Sequence, residues 1–179
     1  MAKTLQTDAN FRLIWDYQNQ PDSGLGIGAD APKIVDSYTM VLLDEMTDGS
    51  GAEDVANLLW HDVRSLAGSS SEEFDLYGGL TDSFGATLNF ATIRAFCISN
   101  RNASSDTDGI LEIGGSASNA WATWLGNVSD TIKVGPGGGM FLWCPSAAGY
   151  AVTNSTADKL KVTNTGTEAI EYQIALIGD

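Results

Sequence analysis

The chain has 179 residues, 43% of them hydrophobic and only 18% charged, with 20 glycines. That length suits one well-packed domain, and the composition is that of a turn-rich β protein. Nine basic residues against 23 acidic ones leave a net charge of −14, which argues against nucleic acid and anionic membrane as partners, because both recruit basic patches.

The opening MAKTLQTDANF contains no apolar h-region, so no secretory signal is expected. No apolar run approaches ~20 residues, so no spanning helix is expected either. Cys97 and Cys144 lie in apolar stretches, AFCIS and FLWCP. They read as buried free thiols, which suits folding in a reducing cytoplasm.

Residues 1–32 read as an extended N-terminal arm with a Gly/Pro-rich linker. Within it, Phe11, Leu13, Trp15 and Tyr17 alternate with Arg12, Ile14 and Asp16, which predicts a strand over Phe11–Tyr17. The stretch NQPDSGLGIGADAP that follows reads as loop. An arm bearing apolar residues needs something to lie against, so Phe11, Leu13, Trp15 and Tyr17 are the candidate interface residues.

Residues 33–179 read as the β-sandwich domain. KIVDSYTMVLL is β-branched and apolar, a strand, and DEMTDGSGAED after it is an acidic loop. Asn57–Leu66 fits either a short helix or a strand with Leu59, His61, Val63 and Ser65 on one face. SSSEEFDLYGGL gives a turn and a short strand. Ala86–Asn100 is the strongest strand signal, with Leu88, Phe90, Thr92, Arg94, Phe96 and Ile98 on one face. Its second half is apolar on both faces, which predicts a central strand.

Short strands follow at Ile110–Ile113, Ala120–Leu125, Thr131–Val134, Met140–Cys144, Tyr150–Thr153, Leu160–Asn164 and Ala169–Ile177. Strands recurring about every ten residues between turn residues predict an all-β sandwich, with a jelly roll as the best architecture. Asn164–Gly166 predicts a hairpin between the last two strands. No repeat of 20–50 residues and no heptad pattern is present.

No motif carries convincing chemistry. Gly24–Ala29 spells G-L-G-I-G-A, but Pro21 and Asp22 precede it and Pro32 follows. The strand and helix that a dinucleotide site needs are therefore not expected there. Gly135–Gly139 has no Lys-Ser/Thr after it and reads as a tight turn. His61, the sole histidine, reads as a packed or hydrogen-bonded structural residue. The acids at Asp44, Glu45, Asp48, Glu53 and Asp54, and at Asp106 and Asp108, lack EF-hand spacing and read as solvated loops. With 23 acids a glycosidase pair is arithmetically available, but no spacing points to one. Neither catalytic residues nor a metal or cofactor is expected. Of the five tryptophans, Trp121 and Trp124 are three apart and, in a strand, would face opposite ways.

From about Leu58 onward the chain resembles small structural proteins of tailed bacteriophages and prophages. The blocks are WHDVRSLAGSSSEEFDLYGGLTDSFG, FATIRAFCISN, LEIGGSASNA, VGPGGGMFL and GYAVTNSTADKLKVTN. They cover about two-thirds of the chain and exclude the arm. The resemblance implies a non-enzymatic virion component made in the host bacterial cytoplasm. A capsid decoration or cement protein is the leading expectation, a homo-oligomer, as a trimer, on the major capsid protein or other virion proteins. The alternative is a tail, baseplate or adhesin component that binds a glycan or receptor.

Overall fold

In the computed structural model, residues 3–19, 34–116 and 118–179 are described, and their secondary structure is strand, bridge, turn and bend, without helix. The G-L-G-I-G-A stretch lies outside the described residues. The strands in chain order are β1 (Thr7–Asn19), β2 (Ile34–Asp48), β3 (Val55–Ala56), β4 (Leu58–Leu66), β5 (Ser71–Asp75), β6 (Tyr77–Thr81) and β7 (Thr87–Asn89). They continue with β8 (Thr92–Asn100), β9 (Leu111–Gly114), β10 (Thr131–Val134), β11 (Gly139–Trp143), β12 (Tyr150–Ala151), β13 (Lys159–Asn164) and β14 (Ile170–Gly178).

The chain divides into two compact units, Thr7–Glu45 and Met1–Gln6 with Met46–Asp179. This division falls elsewhere than the expected boundary near Lys33. From Ile34 onward this stretch is a strand, as its β-branched composition requires, but most of β2 belongs with β1 in the small unit. The acidic loop is also shorter than its sequence suggests, because β2 runs on to Asp48 and pairs there with β3.

The large unit is an all-β sandwich. One sheet has the order β11-β8-β14-β4 and the other β10-β9-β13-β5. Numbering these eight strands along the chain gives 6-3-8-1 and 5-4-7-2, with antiparallel pairs throughout. That is the strand order of a jelly roll, in which two Greek keys wrap one core. The period-two patterning behind it is plain in β13 and β14, whose residues alternate between buried and less buried positions.

Both sheets supply the core: Phe96, Ile98, Tyr172, Ile174 and Leu176 from one, Phe74, Leu111, Ile113, Leu160 and Val162 from the other. Two buried asparagines tie off the ends of strands. The Asn164 amide donates to the carbonyls of Leu66, Ala67 and Glu168, and its Oδ1 accepts from Gly166 N–H. Asn100 donates to Gly109 and Val134. Buried polar groups persist only when bonded in this way.

Several expectations are corrected. Asn164–Gly166 does not close a hairpin, since β13 and β14 lie in different sheets; the Asn164 amide holds a turn that crosses between layers. Ala86–Asn100 is two strands, β7 and β8, separated at Phe90–Ala91. A register shift beside Ile93 then puts Ile93 into the core along with Phe96 and Ile98. Ala120–Leu125 is not a strand but a turn-rich loop. The Gly135–Gly139 turn forms as expected: Gly137 has φ of 70°, and a Cβ there would lie 2.9 Å from the Ser104 Cβ.

At one end of the β4-containing sheet, Met46, Ala56 and Ala95 form a second apolar cluster with Leu5, Trp143 and Ile177 against it. Beside it Arg94 is fully buried. Its guanidinium donates to the carbonyls of Pro145 and Ser146 and to the Asp179 carboxylate. Asp179 also accepts from Thr92 Oγ1 and from the Gly51 N–H.

Candidate interaction surfaces

Three surfaces could carry function. The first is the small unit. β1 and β2 are neighbours in one sheet of order β1-β2-β3, so β1 is an edge strand. Phe11 and Leu13, two of the expected interface residues, are 44% and 47% exposed. Trp15 and Tyr17 occupy positions in β1, but their side chains lie outside the described residues. The sequence reading missed Ile14, Met40, Val41 and Leu42, all of them exposed. Their signal was present in the apolar run on both faces of TMVLL, which reads equally well as a buried sandwich strand.

The second surface is a groove of about 420 Å³ between the edge strands β4 and β5 and the end of β6. On β4, Trp60 and Leu66 face the core, and between them Asp62 and Arg64 are half-buried. Inward-facing charge on an edge strand blocks further strand pairing. Arg64 binds Glu72 through Nε and Nη2, and Asp62 through Nη1 at 3.1 Å. The Glu72 bond, opposed by burial and aided by Asp62, holds the guanidinium well above its usual range.

Tyr172 donates its hydroxyl to the other oxygen of Glu72. Burial, followed by that carboxylate, pushes the phenol far above its ordinary value. Glu73 accepts from Ser116 Oγ at 2.7 Å, and Asp75 binds Lys159 at 2.7 Å. Burial opposes the charge on Asp75, but Lys159 and the Tyr77 N–H outweigh it, and its pKa lies below the usual range. Each carboxylate in the groove is therefore committed to a donor. Such a network fixes the open side of the sandwich and leaves no facing pair of unengaged acids.

The third surface is the outer face of the β11-β8-β14-β4 sheet. The strand registers align Phe141, Cys97, Ala175 and His61 in one row across it. Cys97 is exposed, which corrects the expectation of a buried thiol, and partial desolvation raises its pKa. His61 is exposed rather than packed. Phe141 stacks on Trp143 with ring centroids 6.0 Å apart.

Trp60, Trp121 and Trp124 serve the core. Trp60 lies 5.1 Å from Phe74. Trp121 and Trp124 do not face opposite ways: both meet Phe96, at 5.9 and 5.7 Å, because they sit in a loop rather than a strand. Among the described residues, no three His, Cys, Asp or Glu side chains form a group able to hold a metal ion. Asp108 and Asp48 have hydrogen-bond partners. Asp108 accepts from the Thr167 hydroxyl and N–H, which hold its pKa below the usual range, and Asp48 accepts from Leu5 N–H.

No protein-family model matches the chain, and neither a curated protein nor a solved structure matches it.

Proposed function

We propose that this protein is a non-enzymatic structural component of a tailed-phage virion, a capsid decoration protein that works by attachment. The observation that carries this reading is the small unit. Phe11, Leu13, Ile14, Met40, Val41 and Leu42 are all exposed on two neighbouring strands. Six exposed apolar side chains on two neighbouring strands mark an interaction site. Burial of such residues against a partner contributes about 25 cal/mol per Å² of apolar area. Many copies on one shell add their attachments together. The acidic balance of the chain suits a particle surface held in solution by mutual repulsion.

The sequence blocks shared with phage structural proteins support the virion assignment, and the partnered carboxylates of the groove support a structural rather than a chemical role. A tail or adhesin component is the second reading. It draws on the stacked Phe141 and Trp143 of the outer sheet face, since exposed aromatic faces can stack on sugar rings.

Immunogold labelling of intact virions from the source decides between them. Label spread over heads is expected. Label confined to the tail tip would transfer the assignment to adhesion, and absence of label from every particle would overturn the virion reading.

A further inference from the structure

We infer that the free edge of β1 pairs with the β1 edge of a second copy of this chain, antiparallel and about a two-fold axis at Ile14. This does not depend on the virion reading. β1 has β2 on one side, and among the described residues no strand pairs with its other edge. An unpaired edge of 13 residues is a template for another strand. Two strands alone are marginal in water, and here Phe11, Leu13 and Ile14 are left exposed.

The sequence of the strand identifies the occupant. Asn10–Gln18 reads N-F-R-L-I-W-D-Y-Q. Set against its own reverse about Ile14, it pairs apolar with apolar, amide with amide and cation with anion. An antiparallel register centred there sets Phe11 opposite Tyr17, Leu13 opposite Trp15, Asn10 opposite Gln18 and Ile14 opposite itself. Arg12 then meets Asp16, and by symmetry this happens twice. Opposite charges and aromatic pairs directly across an antiparallel ladder are favourable, and like charges are not. A two-fold interface uses the same patch on both subunits, so a strand complementary to its own reverse is what it requires.

Other registers do worse. Arg12 is the only basic residue of β1, and its acids are Asp8 and Asp16. Setting Arg12 against Asp8 leaves Phe11 opposite Ala9 and Leu13 opposite Thr7, with a shorter overlap. Parallel in-register pairing stacks Arg12 on Arg12 and Asp16 on Asp16. The pairing builds a dimer, where the resemblance implied a trimer.

The test is charge reversal on the full-length chain, read by sedimentation equilibrium, with circular dichroism confirming that each variant folds. The wild type is expected to dimerise. Arg12→Glu sets Glu against Asp16 and Asp16→Arg sets Arg against Arg12, so each alone should weaken self-association about tenfold or more. Mixed in equal amounts, the two variants should form a heterodimer, because both charge pairs are again complementary. The double variant R12E/D16R should recover homodimerisation. A wild type that stays monomeric would overturn the proposal and leave the edge to a different protein. Variants that associate as the wild type does, or a mixture that fails to recover, would overturn it as well.

Discussion

Phe96 and Phe11 are the same residue type in strands of the same chain, with opposite fates. Phe96 is fully buried beneath Trp121 and Trp124, while Phe11 is 44% exposed. The large unit has two sheets, so an apolar side chain on an inner face always meets one from the other layer. The small unit has neighbouring strands without a second layer of its own among the described residues. Alternation of apolar and polar residues makes a strand in both cases; burial requires a facing layer.

The two edge strands differ in the same sense. β4 has Arg64 tied to both Asp62 and Glu72, and the Asp62 carboxylate also accepts the Val63 N–H. Its edge is closed to a further strand. β1 carries one cation and two acids spaced to complement its own reverse, and among the described residues no strand covers its outer edge. Within one chain, then, the same structural hazard is suppressed in the unit that packs on itself and retained in the unit we assign to attachment.

Substitution of a matched pair gives the sharpest break of this comparison. Phe96→Ala should destabilise the large unit by about 3–5 kcal/mol, because it empties a site against the rings of Trp121 and Trp124. Leu13→Ser should leave the unfolding midpoint of the large unit within about 0.5 kcal/mol at low protein concentration and affect association instead. Chemical denaturation of dilute samples checks both. A large loss of stability in Leu13→Ser would show that the small unit contributes to the core.

Asn164→Ala should cost about 1–3 kcal/mol, since it removes the donor to three carbonyls in a buried turn. Hydrogen exchange should quicken first at the loops it joins, around Ala67 and Glu168. Uniform exchange across the sandwich would mean that the turn is not a separate tie between the sheets.

The smallest effect concerns acid. The Asp75, Asp82 and Asp108 carboxyls all lie below their ordinary range in the folded chain. Their contribution is therefore present above the unfolded carboxylate pKa and lost as pH falls through the folded values. Melting temperature should drop between about pH 4 and pH 2, and Asp108→Asn should make that drop shallower. An unchanged acid limb would show that the Thr167 contacts do not persist in solution.

Period-two alternation and turn residues were enough to place most strands, including β9, β10, β11 and β13, and to call a two-sheet jelly roll. They were enough because side-chain direction along a strand is a local property. The candidate surface was half legible. Phe11 and Leu13 alternate visibly with polar neighbours, but the exposed Met40, Val41 and Leu42 look, as a sequence, like any buried strand. The sequence of β1 also contains its own complementarity, which is a matter of residue order alone.

Partnership across the chain was decided only by tertiary structure. Whether β2 belongs with β1 or with the sandwich depends on which distant segment covers it. The sheets joined by Asn164 depend on carbonyls nearly a hundred residues away, at Leu66 and Ala67. Trp121 and Trp124 meet the same ring only because their segment turns instead of extending. Local sequence sets the direction of a side chain, but burial is a property of what arrives opposite it, and long-range contacts are not written in the period of the chain.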